Sequence, residues 1–227
     1  MHHLHAALSA VVDLPGAHRD NDKSFALSPP ERLADGTTRV EIRLLVDDRS
    51  FVDHFLERLG ELAHRGVVLG GRPVPLLASG GPGSVGMVGL SSAVTWAELA
   101  REATPERNVR VTFLSPYFTR DGRTHHLFPL AGSVVRSLLR RWNVFAPGDV
   151  AGLRGEDVAV GIGGFKGETI TVGAGSVRYT GFVGTVDYVF ESRSDSDRRL
   201  AHQLFLVAPY TGLGSSTPYG FGLVELG

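Results

Sequence analysis

At 227 residues the chain has room for one large domain or two of roughly 100 residues each. Its 42% hydrophobic and 21% charged residues describe a globular protein, and the absence of cysteine excludes disulfides and thiolate metal sites. A formal net charge of −1 argues, taken alone, against a nucleic-acid partner. No apolar run reaches the roughly 20 residues of a membrane span. Val67 to Trp96 is broken by Arg72, Pro73, Pro75 and glycines, and Met1 to His5 carry no Lys or Arg ahead of an apolar run. No membrane partner and no secretory signal are expected, and the expected address is the cytoplasm.

In chain order, His3 to Val12 places Leu4, Leu8, Val11 and Val12 at helical spacing, and Pro15-Gly16 stops the helix. Ser24 to Ser28 alternates like the start of a strand and ends at Pro29-Pro30; Thr38 to Val46 reads as one strand. Asp48 or Ser50 caps a helix over Phe51 to His64. Val67 to Leu69 and Pro73 to Leu77 form a strand pair about Gly70-Gly71, and residues 79–89 are a glycine-rich loop. A short helix over Trp96 to Ala103 precedes the polar stretch Pro105 to Asn108, which marks a boundary between domains at 1–105 and 106–227.

The second half reads as a strand (Val109 to Leu114) and then a helix over Gly132 to Phe145. That helix turns Val135, Leu138, Leu139 and Trp142 inward and Arg136, Arg140 and Arg141 outward. Three glycine-punctuated strands follow (Val158 to Phe165, Thr169 to Tyr179, Phe182 to Phe190), then a helix capped by Ser194 or Ser196 and a strand over Phe221 to Leu226. If two of the three middle strands form one bent unit, the order is β-α-β-β-α-β, the ferredoxin-like unit; the class is α+β. Charge is divided along the chain. Residues 13–61 carry 11 acids and 7 bases, while residues 101–145 carry 8 arginines and 3 acids together with His125 and His126. That basic stretch is compatible with an RNA-binding face, and equally with a solvated arginine-rich surface.

The most specific pattern is Gly212-Leu213-Gly214, five residues (Ser215 to Tyr219), then Gly220-Phe221-Gly222. Such glycines permit positive φ and close backbone approach, and exposed N–H groups with the Ser215, Ser216 and Thr217 hydroxyls could form an anion-binding concavity. The bland reading is that these glycines only shape turns. The spacing fits neither a P-loop nor a dinucleotide fingerprint.

The G-h-G-x5-G-h-G spacing resembles the C-terminal motif of the RAMP superfamily, the repeat-associated RNA-binding proteins of CRISPR systems. Further segments resemble its precursor-RNA processing endoribonuclease branch: FLSPYFTRDGRTHHLFPL (113–130) with SLLRRWNVFAP (137–147), GFVGTVDYVF (181–190), and LFLVAPYTGLGSSTPYGFG (204–222). At the front, LHAAL (4–8) and the segment from His18 through Lys23 to Ser28 are similar to the family's first helix and the entry to its second strand. The resemblance implies two tandem ferredoxin-like (RRM-like, βαββαβ) domains. The family opens with a strand that this chain lacks, which would leave backbone groups unpaired; the expectations for that end are a homodimer or a disturbed first domain.

The resemblance further implies metal-independent cleavage of CRISPR repeat RNA by the ribose 2′-hydroxyl, leaving a 2′,3′-cyclic phosphate and a 5′-hydroxyl. That reaction needs a base, an acid and a cation on the phosphorane. His18 and His5 are the expected acid and base, because histidine titrates near neutrality, and Lys23 is the expected phosphate partner. Arg136, Arg140, Lys166 at a tight turn, Gly214, Ser215, Ser216 and Thr217 are the expected RNA-binding residues, with Tyr117 and Phe118 as candidate stacking rings. No cofactor is expected. No metal is expected either, because the histidines lack H-x-x-x-H spacing with a carboxylate on one helix. The partners are CRISPR repeat RNA and other CRISPR-associated proteins. The alternative is a non-catalytic RNA-binding subunit of a CRISPR ribonucleoprotein, which needs no protonatable residue at His18. A general RRM-type binder is disfavoured by the absence of its aromatic strand motif.

Overall fold

The computed structural model describes residues 25–45, 49–65, 67–69, 72–74, 94–148, 152–154, 158–174 and 177–227. The chain's opening, with His5, His18 and Lys23 and the expectation of a missing strand, lies outside the described residues, as does the loop at 79–89.

The first described elements are short strands. β1 (Phe25–Leu27) pairs antiparallel with β4 (Ile42–Leu44), and β2 (Glu31–Arg32) with β3 (Thr38–Arg39). The single strand expected over Thr38 to Val46 is thus two ladders. The physical cause is Pro29-Pro30, which has no N–H to give at the point where the ladder would continue. Ser28 bridges the gap instead, its N–H reaching Glu41 O at 2.9 Å and its Oγ accepting from Glu41 N–H at 2.8 Å. Helix α1 (Arg49–Arg65) follows, then β5 (Val67–Leu69) paired with β6 (Arg72–Val74) as expected. Helix α2 (Trp96–Glu102) begins in a capping box: Thr95 Oγ1 accepts from Glu98 N–H, and the Glu98 carboxylate accepts from Thr95 N–H.

A four-stranded antiparallel sheet organises the rest. Its strands are β7 (Asn108–Tyr117), β10 (Val160–Ala174), β11 (Val177–Phe190) and β12 (Val224–Leu226), in spatial order β10-β11-β7-β12. With helix α3 (Ala131–Phe145) between β7 and β10, and α4 (Asp195–Leu206) with the short α5 (Ala208–Thr211) between β11 and β12, this is the split βαβ arrangement of a ferredoxin-like unit. The class is α+β.

Two expectations are corrected here. The three middle strands are two, because Gly167 pairs opposite Gly184 within one continuous hairpin; these glycines sit in the ladder and do not break it. The stretch after Tyr117 carries an unanticipated hairpin, β8 (Thr119–Asp121) with β9 (Thr124–His126), turned at Gly122.

One face of the sheet is covered. Val109, Val111, Phe113, Val186, Tyr188 and Phe190 pack against Val134, Val135, Leu138 and Trp142 of α3 and Ala201, Leu204 and Phe205 of α4. Trp96 of α2 meets Trp142 edge-on, with ring centroids 5.2 Å apart. The Tyr188 hydroxyl, buried in this core, donates to Pro129 O at 2.7 Å, and burial pushes its pKa up. The opposite face is polar. Arg110 and Asp187 pair across it at 2.6 Å, and this hydrogen bond holds the Asp187 carboxyl below its ordinary range. Among the described residues no helix is long and apolar enough to cross a membrane.

Candidate nucleic-acid interface

Helix α3 carries the candidate interface because its apolar residues leave one flank cationic. Val134, Val135, Leu138 and Trp142 are buried, which turns Arg136 and Arg140, one helical turn apart, onto the exposed side. Beside them lies a groove of about 450 Å³, lined by Gly132, Val135, Arg136, Leu139, Arg140, Val158 and Val160. The Asn143 amide secures the loop leading to the groove's far wall: its Oδ1 accepts from the N–H groups of Gly152 and Leu153, and its Nδ2 donates to Leu153 O. Two guanidiniums beside an apolar floor are the chemistry that can meet successive phosphates of a backbone.

Arg141 departs from the expected outward direction. It lies about 100° around the helix from Arg140, is partly buried, and donates through Nη2 to Thr217 Oγ1 at 2.8 Å. The sequence places three arginines close together on α3, but the fold gives Arg141 a structural partner within the glycine-rich segment.

That segment is a tight double turn packed on the end of β7. Leu213 N–H donates to Gly222 O, Gly222 N–H to Pro116 O, Ser215 N–H to Phe118 O, and Leu223 N–H to Ser115 Oγ. Gly214 and Gly222 have φ of 83° and 64°. A Cβ on Gly222 would lie 1.8 Å from Leu213 O, and one on Gly214 would lie 2.5 Å from Phe118 O. These two glycines are therefore required by contacts inside the protein. Thr217 is buried, its hydroxyl committed to Arg141, whereas Gly214, Ser215 and Ser216 are partly exposed.

Strand β1 packs directly against the 3₁₀ turn Thr217–Tyr219. Arg43 of β4 donates to Pro209 O in α5, tying the same strand pair to the helix before the turn.

The model of the CRISPR-associated endoribonuclease Cas6 family matches residues 111–224, from β7 through the groove helix and the double turn to β12. The chain belongs to the Cas6 family. Among solved structures, a Thermus thermophilus Cas6 in a product complex is similar in fold at TM-score 0.77 and 24% identity, over 98% of this chain and 90% of that one. A second Thermus Cas6, in a substrate mimic complex, has TM-score 0.69 and 27% identity, over 93% of this chain and 88% of that one. Among curated proteins no sequence matches this chain.

Within this Cas6-family fold the remaining expected residues are placed as follows. Lys166 is not at a turn. It is exposed in the middle of β10, opposite Thr185, and so points to the polar face of the sheet, away from α3. Tyr117 and Phe118 are both buried, so neither ring is available to stack a base; burial pushes the Tyr117 phenol up to about 12. Tyr117 closes β7 against Phe113, and Phe118, the next residue, packs against Tyr179 and Phe221. His125, exposed on β9, stacks on Phe118 at 5.9 Å, which puts the basic β8–β9 hairpin with Arg120 and Arg123 beside the double turn. Sequence reasoning missed the exposed ring of Phe165. Its signal was present as an aromatic set among glycines and charges, GGFKGE.

Proposed function

We propose that this Cas6-family chain is a metal-independent endoribonuclease that cuts CRISPR repeat RNA by transesterification. In that reaction a general base takes the 2′-hydroxyl proton and O2′ bonds to the adjacent phosphorus. The P–O5′ bond then breaks, and a general acid returns a proton to O5′. The products are a 2′,3′-cyclic phosphate and a 5′-hydroxyl. His18 and His5 take the acid and base roles, and Lys23 offsets the charge that develops on the phosphorane. Residues 1–105 then form the domain carrying these groups and 106–227 the RNA-holding domain.

The observation that carries the reading is the family match over 111–224, which takes in the arginine groove and the double turn together. Packing adds support. β1 begins two residues after Lys23 in sequence, and it lies against the Thr217–Tyr219 turn. The RNA-holding residues are Arg136 and Arg140 in the groove, Lys166 across the edge of β10, and the turn Gly214 to Ser216, principally through the partly exposed Ser215 and Ser216, with the buried Thr217 holding that turn to Arg141. The relatives solved as product and substrate mimic complexes favour the same substrate class.

The test is incubation of the purified chain with its own repeat RNA in EDTA, followed by end-group analysis on a denaturing gel. One cut leaving a cyclic phosphate is expected. Substituting His18→Ala should slow that cut by roughly 10²–10⁴-fold while binding falls less than about tenfold. Tight binding with no cut would make the chain a non-catalytic RNA-binding subunit.

A further inference from the structure

Phe165 is the most exposed large apolar side chain among the described residues, at 65%. It stands on β10, an outer strand of the sheet, opposite Val186, and therefore on the same side as α3. Its position is fixed from behind. The ring meets Phe128 edge-on at 4.9 Å, Phe128 meets Phe182 at 5.4 Å, and Phe182 meets Phe113 at 5.6 Å. An aromatic file thus runs from the centre of the core to the surface and ends in an open ring.

The position of that ring relative to the groove is set by the strand. Val160 lines the groove next to Val135 and Arg136, and Ile162 pairs with Tyr188, whose hydroxyl holds Pro129 just before α3. Phe165 follows on the same face and touches Phe128, so it marks the end of the groove where α3 begins. Leu130, two residues after Phe128 in sequence, is exposed as well. The order along this surface is an open aromatic ring, then Arg136, then Arg140. Single-stranded nucleic acid is held by this combination, in which bases stack on an aromatic face and adjacent phosphates meet cations.

We propose that Phe165 is a base-stacking platform, on which one nucleobase of the bound repeat RNA lies while Arg136 and Arg140 hold the phosphates beside it. This rests on the repeat-RNA reading above and adds a positioning residue to it. Phe128 meets the ring edge-on while the side chain stays 65% exposed, so the ring receives a base without rearrangement of the core.

The experiment uses the full chain and repeat RNAs carrying 2-aminopurine at successive positions. One position should be quenched on binding, and Phe165→Ala should relieve the quench and weaken binding about tenfold. Phe165→Trp should preserve both. Phe165→Leu, which keeps apolar packing on Phe128 but has no π face, should behave like the alanine variant. An abasic RNA at the quenched position should bind the native protein about as weakly as Phe165→Ala binds intact RNA, with no further loss when the two changes are combined. Native protein that binds repeat RNA while Phe165→Ala binds it equally well would overturn the platform alone and leave this ring to a protein partner. Native protein that does not bind repeat RNA would overturn both the platform and the reading it rests on.

Discussion

Arg141 Nη2 donates to Thr217 Oγ1 across 2.8 Å, and this bond joins the helix that carries the groove to the double turn that packs on β7. Thr217 is fully buried, so a variant lacking the hydroxyl leaves a guanidinium N–H facing an apolar wall. Thr217→Val should cost about 1–3 kcal/mol in urea unfolding, and Thr217→Ser distinctly less. Equal stability of the valine variant would show that the bond contributes nothing.

The turn's glycines offer a sharper contrast. At Gly222, φ is 64° and a Cβ would meet Leu213 O at 1.8 Å, whereas around Gly132 nothing lies within 4 Å. Gly222→Ala should therefore destabilise by roughly 3 kcal/mol or more. Gly132→Ala, inside the first turn of α3, should stabilise by up to about 1 kcal/mol. Thermal unfolding of the two variants side by side checks both signs.

Phosphate contacts are read from salt dependence. Each cation removed from the RNA face should lower the magnitude of the slope of log K against log salt by roughly 0.7–0.9. The double variant Arg136→Ala with Arg140→Ala should lose about twice that. Lys166→Ala should lose about one further step if RNA crosses the edge of β10, as proposed. An unchanged slope for Lys166→Ala would confine the RNA to the α3 side of the sheet.

His202 sets a pH dependence of stability. Its Nδ1 accepts from Thr104 N–H at 3.0 Å, and burial lowers its pKa in the folded protein. The neutral ring is the one the fold accommodates, because protonated Nδ1 would face a donor. The stability it contributes is thus present above the unfolded pKa near 6.5 and is lost as pH falls below it toward the depressed folded value. His202→Asn, which retains an acceptor but cannot be protonated there, should lose less stability than the native protein between pH 7.5 and 5. Parallel denaturant curves for the two proteins would be the contrary result.

Periodicity made α3 legible, because Val135, Leu138 and Trp142 sit at helical spacing and are buried, although Leu139, expected inward with them, is partly exposed and lines the groove. Of the two serines offered as caps for α4, Ser194 is the one that caps it, whereas the capping box at Thr95 was not anticipated. Arg141 was not legible, because its neighbour Arg140 has the same chemistry and only the fold of residues 212–222 shows that Arg141 is the one turned to Thr217. The hairpin β10–β11 was misread for a different reason. Glycine is a turn signal in isolation, yet Gly167 and Gly184 face each other across a ladder that needs their lack of side chains. Tyr117 ends β7 and Phe118 follows it, where the burial alternation of the strand has already given way to continuous burial, and no local pattern shows that the double turn covers both rings. The groove was half legible: Arg136 and Arg140 share a face by spacing, whereas its second wall at Val158 and Val160 is brought in by a loop that no local pattern anticipates.

The pairing of Val111 with Leu226 joins residues separated by more than a hundred positions. On a growing polypeptide α3 and the β10–β11 hairpin can close from neighbouring residues, whereas β7 must wait, with one edge open, for almost the last residues of this sequence to emerge. Loop closure over such a span is slow compared with helix or hairpin formation. The interval in which Val111 to Phe113 have one edge unpaired is thus the step most exposed to aggregation, and substitutions in residues 220–226 are expected to reduce the yield of folded protein before they alter anything the folded protein does.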